Sequence, residues 1–137
     1  FGEGGVVLDQ GASGGTNNIY GYDIKVNSEG NYFVAGQTFS GLGAEDVAVW
    51  SFLPDGTRDM SFGTNGLVIT HGFGGGFQEN AWDMVLNSAD QIIIAGRTQD
   101  SSLQYDMLIC RYTPEGVLDT TFGIDGFQTH NNAAGAD

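Results

Sequence analysis

The sequence of 137 residues contains one cysteine, two prolines, two histidines and four basic residues. Each scarcity excludes something. A single thiol, Cys110, cannot form an internal disulfide. It sits in the apolar run Met107-Leu108-Ile109-Cys110, where a buried inert thiol is expected rather than a nucleophile. His71 and His130 have no His-x-x-x-His spacing and no cysteine partner, which leaves no zinc pattern. Four bases against seventeen acids give a formal net charge of -13. A surface of that sign repels phosphate backbones and anionic lipid, so nucleic acid is not an expected partner. No apolar run approaches the roughly 20 residues of a spanning helix, and no membrane insertion is expected. The opening Phe1-Gly2-Glu3-Gly4-Gly5 is not a basic region followed by an apolar one. It does not start with Met, which suggests a processed or excised product.

What is present is glycine, at 23 residues without a triplet period, and a hydrophobic share of 40%. That suffices for one modest domain with a core and rules out collagen. The acidity suits an extracellular setting, a salty medium or divalent cations.

The sequence is written twice. A shift of sixty superposes Asp23 on Asp83, Gly36 on Gly96 and Asp46 on Asp106. It also superposes Pro54 on Pro114, Asp59 on Asp119, Phe62-Gly63 on Phe122-Gly123 and Gly66 on Gly126. A period of this length signals a stack or ring of supersecondary units.

Strand signals dominate each copy. Residues 24–27, a polar turn and residues 32–36 read as a hairpin, repeated at 82–87 and 92–96. Asp90 stands where the first copy has Gly30, and Asp is among the few residues that tolerate left-handed backbone. A third strand is expected at 46–53 and 106–113, each ending in a turn with Pro54 and Gly56 or Pro114 and Gly116. This strand is apolar on both faces: Val47 and Val49 oppose Ala48, Trp50 and Phe52. Such a strand belongs to a sheet enclosed between layers, as between neighbouring propeller blades. No helical periodicity of useful length occurs. The chain reads as all-β, about two four-stranded antiparallel β-propeller-like blades plus a split third.

The run from Asp55 to Gly66, with Asp59, Phe62, Gly63 and Gly66, resembles the signature of the delta-60 repeat family. So does the run from Glu115 to Gly126, and Arg111-Tyr112-Thr113-Pro114 matches a further step of that family. Ser51-Phe52-Leu53-Pro54 departs from it at the arginine. The resemblance implies propeller-like blades in large secreted or surface-attached bacterial proteins, and no catalytic residues.

Phe1-Gly2-Glu3-Gly4-Gly5 matches Phe62-Gly63-Thr64-Asn65-Gly66, so the chain enters in mid-repeat. The division expected is residues 1–18 as an N-terminal strand and glycine-rich tether, 19–76 and 77–130 as repeats, and 131–137 as a tail. Two units leave end faces open, since propellers usually have at least four blades. Three resolutions stay open: a fragment, a ring of copies, or a head-to-tail filament. In the last, Val6, Val7, Leu8 and Asp9 would add as a strand to a neighbouring copy.

The repeated acids Asp23, Asp83, Asp46, Asp106, Asp59 and Asp119 read as architecture, because every blade needs them. Asp55, Asp59, Asn65, Asp119 and Asp125 gather oxygens near turns and are weak calcium candidates; no other cofactor is expected. The glycine-rich stretches 13–18 and 72–77 lack the lysine of a phosphate loop and read as linkers. Phe73 and Phe77 within them are candidate contacts with a neighbouring chain. Tyr20, Tyr22, Phe73, Phe77, Trp82 and Tyr105 could form a sugar-stacking platform, but Tyr22 and Trp82, at equivalent positions, are rather expected in an inter-blade core. Arg111 is expected to pair with a repeat aspartate.

The function expected is therefore a non-enzymatic structural or interaction module of a secreted or cell-surface bacterial protein, self-assembling through its own copies. Surface glycans are a second expected partner. The alternatives are a carbohydrate-binding or carbohydrate-active propeller, for which Glu45 and Glu79 are the only non-repeated candidates, and a calcium-dependent adhesion module.

Overall fold

The computed structural model describes residues 1–8, 18–39, 44–73 and 75–130, with only the backbone at 76 and 77. Eight strands run in chain order: β1 Ile19–Val26, β2 Tyr32–Phe39, β3 Glu45–Phe52, β4 Leu67–Thr70, β5 Gly75–Leu86, β6 Ile92–Asp100, β7 Tyr105–Tyr112 and β8 Phe127–His130. β1 to β4 form one antiparallel meander and β5 to β8 a second. A single parallel bridge, Glu45 to Gln78, links the two. The protein is all-β, built of two four-stranded blades, as the repeat predicts.

Sequence chemistry sets the hairpins. The side chain of Asn27 accepts the backbone N–H groups of Glu29 and Asn31, and Asn87 does the same for Ala89 and Gln91. These Asx turns hold the chain at the reversal. Gly30 has a φ of 88° and its replacement Asp90 a φ of 55°, both left-handed, as the substitution pattern predicts.

The repeated Gly36 and Gly96 do something else. A methyl group at Gly36 would overlap the carbonyl oxygen of Tyr20, and one at Gly96 the carbonyl oxygen of Asn80. Glycine is required there because the neighbouring strand crosses too closely for a side chain. Close by, both first strands carry a β-bulge. The register slips between Gly21 and Asp23 and again between Ala81 and Asp83.

The core lies between the blades. Phe33, Ala35, Val47, Val49 and Phe62 of the first blade meet Met84, Ile92, Ile94, Leu108, Cys110 and Tyr112 of the second. β3 is buried over Asp46–Ser51 on both faces, as its two-sided apolar pattern predicts. Cys110 is buried, and loss of solvation pushes its thiol up to about 12, where it is not nucleophilic at neutral pH.

Two expectations change. The stretch 72–77 is not a linker throughout, because β5 starts at Gly75. Phe73 is not a contact for a neighbouring chain: it is 2% exposed and lies against Phe127, with ring centroids 5.0 Å apart. Phe77 belongs to β5, and its side chain lies outside the described residues. Val6, Val7 and Leu8 form no strand of the sheet; Val6 pairs back on Glu3. Asp9, most of the tether and the tail at 131–137 fall outside the described residues.

Candidate functional site at the seam between the blades

The two blades are joined by a contact that the chain makes twice. The N–H of Gly63 donates to the carbonyl oxygen of Glu115 at 2.8 Å, and the N–H of Gly2 donates to that of Asp55 at 2.7 Å. Phe1-Gly2-Glu3-Gly4-Gly5 adopts the same turn as Phe62–Gly66 and Phe122–Gly126. The N–H of the last glycine donates to the phenylalanine carbonyl at 3.1, 2.8 and 2.9 Å respectively. The segment 1–7 thus caps the first blade as the first blade caps the second. Phe1 lies edge-on to Tyr32, with centroids 5.1 Å apart.

The repeated aspartates make contacts within the blades and across their joint. Asp23 accepts the N–H of Ile24 at 2.8 Å, and across the joint that of Met84 at 2.9 Å. Lys25 pairs with it at 2.6 Å. Partial burial would raise its pKa, but Lys25 and these donors outweigh that and hold it down at about 2. Asp83 accepts from Met84 in the same local way. Asp59 accepts from Ser61 and Ser51, and Asp119 from Thr121, Gln91 and Arg111. The Arg111–Asp119 pair, 2.8 Å apart, is the expected partnership. Asp46 and Asp106 are buried at the starts of β3 and β7, facing Thr38 and Thr98.

The calcium candidates are engaged in turns. Asp55 accepts the N–H and hydroxyl of Thr57, which keep its carboxyl below the usual range. Asn65 and Asp125 hold left-handed backbone at φ 54° and 53°. Among the described residues, no three acidic, histidine or cysteine side chains are grouped so as to hold a metal ion.

Two residues depart from expectation. Tyr22 and Trp82 are not core: they are 48% and 52% exposed. The reason is the bulge, which inserts one extra residue into each first strand and re-aims its side chain. Repeat equivalence alone carries no sign of a bulge, so this was not legible.

Around them lies a connected polar and aromatic cluster. Tyr20 stacks on Tyr22 with centroids 6.2 Å apart and planes 9° apart. The Tyr22 hydroxyl donates to Gln37 at 3.1 Å, and Gln37 also accepts from Asn80. Asn80 donates to Glu45 at 2.9 Å and accepts from the Arg97 Nε at 2.6 Å. Arg97 in turn lies over two rings, 4.0 Å from the centroid of Tyr105 and 5.4 Å from that of Trp82. Tyr105 donates to Gln78.

Of the two non-repeated glutamates near strand starts, Glu45 belongs to this cluster. Glu79 is sealed beneath it, 1% exposed, accepting the Gly72 N–H at 3.1 Å. Burial, reinforced by Asp46, pushes Glu79 up to about 7.

No curated protein and no solved structure matches the chain. The family model of a β-propeller domain of unknown function, DUF5122, matches residues 90–122. Those residues run from the Asp90 turn through β6 and β7 to Phe122. The all-β blade architecture and the sixty-residue period agree with this partial match, which falls within the second repeat and is to a β-propeller family of the delta-60 repeat type.

Proposed function

We propose that the chain is a non-enzymatic structural module of a secreted or cell-surface protein that assembles by stacking blades face to face. The observation that carries this reading is the doubled joint. The Gly63–Glu115 contact and the Gly2–Asp55 contact are one interface used twice, and among the described residues no further blade covers the two complementary outer faces.

One open face belongs to the second blade. Ile93, Ala95, Met107 and Ile109 sit where Phe33, Ala35, Val47 and Val49 sit in the first, and Met107 is 50% exposed. The other belongs to the first blade, where Ile24, Val34, Trp50 and Phe52 line a cavity of about 280 Å³. Its equivalents in the second blade are the buried Met84, Ile94, Cys110 and Tyr112. A contact between unlike faces repeats without self-closure and gives a filament, or a ring if the rotation closes.

The strand-exchange route is replaced by this one. β3 already carries β4 and β7 carries β8, so among the described blades no fourth-strand position awaits Val6–Leu8. The segment 1–7 instead occupies the seat that residues 122–128 of a second copy would take. Removing residues 1–8 should therefore strengthen assembly. The net charge of -13 accords with an extracellular setting and with its salt.

The test is light scattering of the chain and of a form lacking residues 1–8, over a range of concentrations in about 0.15 M salt. Mass should rise with concentration, more steeply for the shortened form. Met107→Asp should abolish the rise. A constant monomer mass for both forms would overturn the reading.

A further inference from the structure

We propose that the cluster centred on Arg97 at the blade seam is a binding platform for a neutral oligosaccharide. The cluster joins the bulged strands β1 and β5 to Gln37 of β2, Glu45 of β3, Arg97 of β6 and Tyr105 of β7, and it borders the second blade's open face, where Arg97 pairs in register with Met107; its test therefore reads ligand binding and not assembly.

Four aromatic side chains are exposed together here. Tyr20, Tyr22, Trp82 and Tyr105 are 42%, 48%, 52% and 47% exposed. Large rings left in water at this density mark an interaction surface. Two of them, Tyr22 and Trp82, are turned outward by matching bulges in two different strands. Bulges that re-aim side chains are concentrated next to functional sites.

The chemistry between the rings selects the occupant. A pyranose offers an apolar C–H face for a ring and a rim of hydroxyls, each both donor and acceptor. The seam answers both needs. The rings supply the apolar surfaces. Gln37, Glu45, Asn80, Arg97 and Gln78 supply hydrogen-bonding groups in the spaces between them, already fixed by one another. Prefixed polar groups lose little freedom on binding.

Two rivals fit less well. Polyproline segments also dock on aromatic surfaces. They present carbonyl acceptors and no N–H donors. The seam sets the Glu45 carboxylate, an acceptor, beside the Arg97 guanidinium, a donor, and so favours a ligand such as a hydroxyl that both donates and accepts. Anionic glycans would approach a protein of net charge -13 with Glu45 at the site. That field opposes them.

The experiment uses a difference that the chain provides. Trp50 is 3% exposed and Trp82 52% exposed. In Trp50→Phe, Trp82 is the only indole and reports on the seam by fluorescence. Titration calorimetry on the unaltered chain gives the same answer if that variant fails to fold. The probes are cellohexaose, xylohexaose, mannohexaose and chitohexaose as neutral chains, hexagalacturonate as the anionic one, and decaproline.

At least one neutral hexasaccharide should shift the Trp82 emission and saturate in the millimolar range. Tyr105→Ala and Arg97→Ala should each weaken it about tenfold with an unchanged melting temperature. No response to any neutral chain overturns the proposal, as does binding that survives both substitutions. Binding of decaproline alone overturns it in favour of a peptide partner. Equal binding of hexagalacturonate overturns the restriction to neutral chains. None of these outcomes depends on the mass in light scattering, so the two readings fail separately.

Discussion

The backbone N–H of Gly63 reaches across the blade joint to the carbonyl oxygen of Glu115, 2.8 Å away. The residue after Glu115 makes this approach possible. A methyl group on Gly116 would stand 2.7 Å from a methyl of Val68 and 2.9 Å from the Phe62 ring, both of the other blade. Gly116 is also left-handed, at φ 83°.

Gly116→Ala therefore combines backbone strain with a wedge in the joint. Gly4→Ala carries the strain alone, since Gly4 has φ 61° and nothing within 4 Å of an added methyl. The expected costs are about 1 kcal/mol at Gly4 and about 2 to 4 kcal/mol at Gly116. Urea unfolding at constant slope measures both. Equal costs would show that the joint tolerates separation.

Gly36 and Gly96 give a cleaner case, because neither has positive φ. On backbone freedom alone, alanine in a strand would be favoured by about 0.5–1 kcal/mol. The carbonyl oxygens of Tyr20 and Asn80 occupy the space the methyl needs. Gly36→Ala should thus destabilise by about 3 kcal/mol, with the sign opposite to propensity. A stabilised variant in thermal unfolding would show that the first strand can shift away.

These two glycines illustrate what was legible. Their recurrence at a fixed offset is visible in the sequence, as are the hairpins, the two-sided β3 and the Pro-x-Gly turns. All depend on local chemistry or on periodicity. The exposure of Tyr22 and Trp82 was hidden because a one-residue slip in register changes which way a side chain faces without altering the residue pattern. Phe73 was hidden for a different reason. It stands in a glycine-rich stretch that reads as a loop, yet the second blade brings Phe127 against it from 54 residues away (127 − 73). Phe73→Ala should accordingly cost about 3–5 kcal/mol, like any buried aromatic, and Trp82→Ala less than about 1 kcal/mol. Similar unfolding midpoints for the two would contradict this division of core and surface.

Asp23 is one of the aspartates whose depressed pKa ties stability to pH on the acid side. Its folded value of about 2 lies below the ordinary value near 3.8. A depressed acid contributes stability above its unfolded value, and loses it as pH falls toward the folded one. The window is therefore pH 4 down to pH 2. Asp23→Asn keeps an acceptor for Met84 but removes the charge that Lys25 and the backbone donors stabilise. The variant should be less stable at pH 6 and converge on the parent chain near pH 2. A constant difference across that range would mean that the carboxylate charge is irrelevant.

Glu79 works in the opposite direction and at the other end of the scale. It is 1% exposed, beside the buried Asp46, and its folded value of about 7 lies above the ordinary 4.5. For an acid raised by burial the neutral form is the one the fold prefers. Stability is then greatest below pH 4.5 and falls as pH climbs toward 7, because the unfolded chain ionises first. Glu79→Gln keeps a carbonyl oxygen for the Gly72 N–H, which Glu79 now accepts at 3.1 Å, and removes the charge. The variant should match the parent at pH 4 and exceed it by about 1–3 kcal/mol at pH 8. Urea midpoints taken at both values decide it. A gain of the same size at pH 4 would mean that the side chain acts through shape rather than ionisation. A loss at pH 8 would mean that the ionised carboxylate holds the 72–73 turn in place, and that Phe73 depends on it for its seat.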